Sequence, residues 1–148
     1  MLYILSGLPG SGKSTWAKKN LPNAVVVCKD NIRKEICGDV DDQSQNARVF
    51  RIARARTKEL LAEGKDVILD ATHLTEKSRR DMAELAPKGT PVVIVWFNTP
   101  LKTCLERNAG REKLVPESVI RKMHFTFARP KKSECSRLIV VNERKEMA

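Results

Sequence analysis

At 148 residues the chain has the length of a single domain, able to bury roughly two-thirds of the surface its unfolded form exposes and short for two domains. Its apolar runs stop well below the roughly 20 residues of a membrane helix and no charged-then-apolar leader opens it, so no membrane association is expected and a cytoplasmic location is. Basic residues number 28 against 18 acidic ones, a net charge of +10; a polyanionic partner such as nucleic acid and plain solubility account for that surplus equally well.

In chain order, the first apolar run, LYILSG at 2–7, reads as a strand that empties into the glycine-rich GLPGSGKST at 7–15 and then a helix. AVVVCKD at 24–30 reads as a second strand ending at Asp30, followed by the helical NIRKEI. Further strands are expected at DVILDATH (66–73), PVVIVWFN (91–98) and RLIVV (137–141). Continuous rather than alternating hydrophobicity marks strands covered on both faces, hence a parallel sheet wrapped by helices and an α/β domain. Helix punctuation lies between them: Gly64 as a C-cap, Pro87 to Gly89 as a stop, and Thr99 as an N-cap with Pro100 in the first turn. On the helix that follows the second strand, Arg48, Arg51, Arg54 and Lys58 fall within about a third of the circumference, a cationic stripe. Residues 101–118, LKTCLERNAGREKLVPES, read as a helix, a glycine break and a basic loop. His124, in the helical ESVIRKMHFTFA, reads as a packing or surface residue. Cys28, Cys37, Cys104 and Cys135 lack CxxC spacing and are expected to be reduced thiols.

The segment 7–15 fits G-x-x-x-x-G-K-[ST], with Gly7, Gly12, Lys13 and Ser14 at the defining places. Its glycines let backbone N–H groups converge on phosphate oxygens, and the helix it feeds favours anions at its N-terminus. The expected nucleotide-binding set is Gly7, Pro9, Gly10, Ser11, Gly12, Lys13, Ser14 and Thr15. Lys13 is expected to reach the β- and γ-phosphates of ATP and Ser14 to bind Mg²⁺, with Asp70 or Asp30 assisting through water. Ligands of open α/β sheets collect at the carboxyl ends of the strands, which brings Asp30, Asp70, Thr72 and His73 toward the acceptor side. Asp30 then serves as general base for an attacking hydroxyl, a role compatible with capping its helix, while Asp70 either orients the metal or supports Arg33. Arg107 and Arg111 bracket the glycine break and are expected to close over the nucleotide as a lid at about 100–118, neutralising the transferring phosphoryl group.

Taken together, GLPGSGKSTWA (7–17), KDNIR (29–33), DATHLTEKSRR (70–80), RNAGREKLVPESVIRKM (107–123) and SRLIVVNE (136–143) resemble the kinase domain of polynucleotide 5′-hydroxyl kinases, the group that includes the bacteriophage end-healing enzyme. The resemblance runs through nearly the whole chain in order. It implies a three-layer P-loop kinase fold with strand order 2-3-1-4-5, a single domain over 1–148 and a bacterial or phage-infected cytosol. It also implies that Lys13 and Ser14 hold phosphate and metal, that Asp30 is the general base, that Arg33 contacts a phosphate of the acceptor, and that Arg107 and Arg111 clamp the donor. Two positions depart from the family: His73 stands where asparagine is usual, and Lys29 where arginine is common. The expected activity is transfer of the γ-phosphate of ATP to a hydroxyl of DNA or RNA, most of all a 5′-OH end. A small-molecule kinase acting on a nucleoside, sugar or antibiotic, a kinase of a hydroxymethylated base in DNA, and a nucleotide switch that transfers nothing are the alternatives.

Overall fold

All five apolar runs become parallel strands: β1 (Leu2–Ser6), β2 (Val25–Val27), β3 (Val67–Leu69), β4 (Val92–Asn98) and β5 (Arg137–Asn142), ordered β2-β3-β1-β4-β5. The computed structural model describes residues 1–39, 42–111 and 114–142; Glu143 of the closing motif and positions 112 and 113 of the expected lid lie outside them. The order is the expected one, and with six helices it makes an α/β P-loop kinase fold. Those helices are α1 (Lys13–Asn20), α2 (Lys29–Cys37), α3 (Asn46–Ala62), α4 (Glu76–Ala83), α5 (Leu101–Ala109) and α6 (Glu117–Thr126).

The pleat sorts each central strand between two cores. Leu2 and Ile4 of β1 and Val92 and Ile94 of β4 face a core completed by Ile32 of α2, Val49 and Leu61 of α3, and Leu85 beyond α4. Leu5, Val93, Val95 and Phe97 face the other side, where Ala17 and Trp16 of α1 pack. The edges are less covered than the continuous runs suggest: Val25 and Val26 of β2 and Val140 of β5 are exposed, because an outermost strand has a neighbour on one side only. The second and third strands are also shorter than expected. Each stops three or four residues before the end of its apolar run: the chain turns helical at Lys29 after β2 and leaves the ladder at Asp70 after β3.

Gly64, in left-handed backbone, follows α3 as expected; its N–H and that of Lys65 reach back to the carbonyls of Leu61 and Leu60, closing the helix C-terminus. Helix α4 starts in a capping box, with Thr75 Oγ1 accepting from the Ser78 N–H and the Ser78 hydroxyl accepting from the Thr75 N–H. That start fixes Arg79, whose side chain is wholly buried. Arg79 donates from Nε to Glu134 Oε1 at 2.7 Å and from Nη1 to the His73 carbonyl at 2.9 Å. Glu134 belongs to a short 3₁₀ turn (Lys132–Glu134) leading into β5, and its other oxygen accepts the Lys131 N–H. The pair thus ties α4, the exit of β3 and the approach to β5 at one point.

Removing one member of a buried pair strands the other. Arg79→Ala is therefore expected to lower the unfolding free energy by roughly 3–5 kcal/mol. Arg80→Ala, with a side chain 62% exposed in an i,i+4 pair with Glu76, should stay within about 0.5 kcal/mol. Matching urea midpoints for the two variants would show that the buried pair is no part of the framework.

Candidate active site

The loop after β1 is built by backbone that only glycine adopts freely. Gly10 and Gly12 have φ of 80° and 93°, in the left-handed region. A Cβ on Gly10 would lie 2.7 Å from the Cys104 carbonyl oxygen of α5, and one on Gly12 would meet Arg107 Nη1 at 3.4 Å. The glycines thus let the loop fold and also let α5 lie against it. Helix α1 starts directly behind Gly12 with no side-chain cap and no acidic residue in its first turn. Its leading amides, those of Lys13, Ser14 and Thr15, are left for an anion. Lys13 Nζ folds back onto the carbonyls of Gly7 at 3.1 Å and Leu8 at 2.9 Å. Among the described residues the buried Ser11 hydroxyl has no hydrogen-bond partner, while its carbonyl accepts from Thr99 Oγ1 at 3.0 Å. Thr99, expected as the N-cap of α5, is therefore spent on the loop, and Pro100 takes the cap position. Pro9 is half-buried and Thr15 exposed at the loop's two ends.

Beside the loop, Ser14 Oγ donates to Asp70 Oδ2 at 3.0 Å, and the Gly7 N–H donates to the Thr72 carbonyl at 3.0 Å. Adjacent strands lie about 4.8 Å apart, so the exit of β3 is held against the loop that leaves β1. The hydroxyl and carboxylate form an oxygen pair of the type Mg²⁺ takes. Among the described residues no group of three or more His, Cys, Asp or Glu could hold a metal. The protein side is thus the sparse one that Mg²⁺ accepts when phosphates and water fill its remaining positions, and the residues present fit that ion.

On the other flank of β3, α2 carries Asp30 in its first turn and Arg33 one turn on. Asp30 is thus presented by a helix rather than by the end of a strand, and the N-cap is Cys28 without a side-chain bond. A carboxylate in a first turn suits the positive end of the helix. Arg33 is only 8% exposed; its Nη1 donates to Asp30 Oδ1 at 2.7 Å and its Nη2 to Asn46 Oδ1 at 3.1 Å. The guanidinium is therefore oriented from two sides while the Asp30 carboxylate stays exposed. Lys29 lies with Nζ 3.8 Å above the Phe50 ring, and burial, followed by Arg33, lowers its pKa. Asn46, which carried no signal, escaped the sequence reading. Arg48, Arg51, Arg54 and Lys58 of that stripe are all exposed on α3.

His73 does not stand open to an acceptor as expected. It is 8% exposed with its Nδ1 2.6 Å from the Leu5 carbonyl, and its own carbonyl accepts from both Ser6 Oγ and Arg79. Its φ of 42° is the only positive value outside glycine among the described residues. Asparagine and histidine are among the side chains that tolerate this region, so the position's demand is conformational. His73 also lines a small cavity shared with Lys29, Phe50 and Asp70.

The two expected lid arginines flank the loop's other side. Arg107, exposed at the end of α5, donates from Nη1 to the Gly10 carbonyl at 3.4 Å. Arg111 is exposed just beyond and adds positive potential at Lys13. Buried Asn108, unnoticed in the sequence, closes this segment on itself: its Nδ2 donates to the Val115 carbonyl at 2.7 Å and its Oδ1 accepts the Val115 N–H at 3.1 Å. The expected site residues thus gather along one rim, in the spatial order Arg107, phosphate loop, Asp70, Asp30 and Arg33, with His73 beneath it.

A family model described as AAA domain matches residues 2–130. Over 139 residues the chain is 32% identical to an L-seryl-tRNA(Sec) kinase of Methanococcus maripaludis, covering 88% of this chain and 53% of the relative, so it spans about half that protein's length. Among solved structures, a chain of the Pnkp1/Rnl/Hen1 RNA repair complex superposes with a TM-score of 0.75 at 28% identity, over 84% of this chain and 43% of that one. A sugar kinase of Janibacter sp. HTCC2649 shares the fold, with a TM-score of 0.69 at 19% identity over 95% and 84% of the two chains.

Two pH dependences follow from the burial of Lys13 and His73. Burial pushes the Lys13 ammonium down to about 8, against the pull of Asp70 and with help from Arg111. Phosphate charge raises it again, so nucleotide binding above pH 8 must take up a proton, and affinity for ATP is expected to fall by up to about tenfold per pH unit there. Calorimetry at about pH 9 in buffers of different ionisation heat should register close to one proton; none would mean that Lys13 is already charged in the free protein. Burial likewise pushes His73 from 6.5 down to about 4. Between those values the unfolded chain binds more protons than the folded one, so stability present above pH 6.5 is lost as the pH falls toward 4. His73→Asn should flatten that decline by up to ~3 kcal/mol, and parallel stability curves would assign the acid sensitivity to other groups.

Proposed function

The chain belongs to the AAA domain family, and on that premise we propose that it is an ATP-dependent kinase transferring the γ-phosphate to a hydroxyl carried on nucleic acid, a 5′-OH end above all. The observation that carries this reading is the Asp30–Arg33–Asn46 arrangement beside the phosphate loop. A protein that only hydrolyses or senses nucleotide has no use for a carboxylate and an oriented guanidinium on the acceptor side. A net charge of +10 and the exposed cations of α3 favour an acceptor with phosphates of its own.

In this reading the amides of the phosphate loop and Lys13 hold the donor's phosphates, and Arg107 and Arg111 neutralise charge that builds on the transferring group. Mg²⁺, when bound at Ser14 and Asp70, supplies further charge neutralisation. Asp30 accepts the proton of the attacking hydroxyl as its oxygen bonds to the γ-phosphorus and the bond to the β,γ-bridging oxygen breaks, releasing ADP. Arg33 holds a phosphate of the acceptor and thereby sets the hydroxyl against Asp30. A second acceptor, a serine hydroxyl carried on tRNA, is favoured by the methanococcal relative and needs the same Asp30 and Arg33.

Incubation with γ-labelled ATP, Mg²⁺ and a panel of 5′-OH DNA and RNA oligonucleotides, seryl-tRNA, nucleosides and sugars tests the assignment. Label in a small molecule and in no polymer would overturn it. Asp30→Asn should lower turnover roughly 10²- to 10⁴-fold with ATP affinity little changed; a near-normal rate would remove Asp30 from the chemistry. Arg33→Ala should raise the acceptor KM and flatten its salt dependence, and equal salt slopes for variant and wild type would point to a neutral acceptor.

A further inference from the structure

Helix α3 carries five basic residues and a single acidic one, Glu59. Arg56 turns toward α2, where Glu35 pairs with it at 2.6 Å. The other four, Arg48, Arg51, Arg54 and Lys58, are exposed, and none of them forms a salt bridge among the described residues. Asp81 of α4 feels Arg54 but is bonded to Lys77. Helices α4 and α6 use the i,i+4 spacing to join opposite charges, Lys77 with Asp81, Arg80 with Glu76 and Arg121 with Glu117. In α3 the same spacings set like charges side by side, with Arg48, Arg51 and Arg54 at i,i+3 and Lys58 at i,i+4. Neighbours of one sign repel, and solubility is served as well by charges of both signs interspersed.

The stripe begins on the acceptor flank of the site. Asn46, the first residue of α3, accepts from Arg33 at 3.1 Å, so Arg48 follows directly on the guanidinium assigned to the acceptor's phosphate. From there α3 runs down the sheet with Val49 and Leu61 in the core and passes through Gly64 into the start of β3. The strands are parallel and the site lies at their carboxyl ends, so the helix leads away from the chemistry. Arg48 to Lys58 covers about 15 Å of helix at roughly 1.5 Å per residue. A strand with one charge per roughly 3.4 Å places about four phosphates along that length, one for each cation.

We infer that the outer face of α3 is a track for the acceptor strand, on which Arg48, Arg51, Arg54 and Lys58 meet the successive phosphates beyond the one held by Arg33. The inference rests on the polynucleotide reading above and gives it a direction and a length: the 5′ hydroxyl lies against Asp30, the first phosphate against Arg33, and the strand then descends along α3. Contacts of this kind go to the backbone and position it without reading sequence. An acceptor of one nucleotide reaches Arg33 and none of the four.

The test uses 5′-OH acceptors of increasing length, from a nucleoside 3′-monophosphate to a dodecanucleotide. Wild-type kcat/KM should rise with each added phosphate up to about six nucleotides and then level off, because the track ends at Lys58. In anisotropy titrations of a hexanucleotide, each cation that meets a phosphate should add about 0.7 to the slope of log affinity against log salt. The double variant Arg51→Ala, Lys58→Ala should therefore lower that slope by about 1.4 and shrink the advantage of the long acceptor over the monophosphate. Both side chains are exposed and alanine favours a helix, so the variant keeps its fold. Lys88→Ala, which removes an exposed cation between α4 and β4, should keep the wild-type slope and length preference. Equal use of the monophosphate and the dodecanucleotide by the wild-type protein overturns the track while leaving the kinase reading intact. So does an unchanged slope in the double variant, or an equal loss per cation in Lys88→Ala, either of which would make the stripe a solvated face. Label in no oligonucleotide overturns the polynucleotide reading and the track with it.

Discussion

Arg79 is the constraint on which the site depends. Its guanidinium is wholly buried, and such a charge is tolerable only when each of its nitrogens finds an acceptor. Glu134 takes two of the N–H groups and the His73 carbonyl a third. That carbonyl also receives the Ser6 hydroxyl, and the His73 ring meets the Leu5 carbonyl. The end of β1 and the exit of β3 are thereby locked together beneath the phosphate loop. Asp70 and Thr72 stand on that exit, so the Ser14–Asp70 and Gly7–Thr72 hydrogen bonds inherit their geometry from a contact made outside the site.

Above this anchor the site is a surplus of cations. Lys13, Lys29, Arg33, Arg107 and Arg111 face two carboxylates, Asp30 and Asp70. Burial and mutual repulsion lower the pKa of both lysines, the signature of positive charge assembled ahead of the anion it is meant to hold. In the proposed reading, a triphosphate on one flank and an acceptor phosphate on the other supply the missing negative charge. Arg33 is oriented by the Asp30 carboxylate and by the neutral Asn46, and Arg107 reaches the Gly10 carbonyl.

Much of this was legible in the linear chain because it rests on local rules. Continuous apolar runs separated by helix signals specify a covered parallel sheet, and glycines spaced around Lys13 and Ser14 specify a loop whose backbone must wrap an anion. Gly64 ended its helix where it should. Strand ends were less legible. AVVVCKD reads as apolar through Cys28, yet Lys29 is better placed as the first residue of a helix whose positive end suits Asp30, so the carboxylate changes element without changing neighbourhood.

The sequence by itself determined the fold class, the phosphate loop and the proximity of Asp30 to Arg33, since a helix brings residues three apart together whatever surrounds it. Only the tertiary structure decided which polar groups are scaffold and which face a substrate. His73 looked like a ligand at a strand end and is a buried strut. Arg79 and Glu134, 55 positions apart, form the anchor. Trp96, from β4, and Phe127 with Arg129, from the segment after α6, form one wall of a cavity beside Gly7 and Leu8. Burial and long-range pairing depend on where distant segments meet, and no local pattern in the chain encodes that.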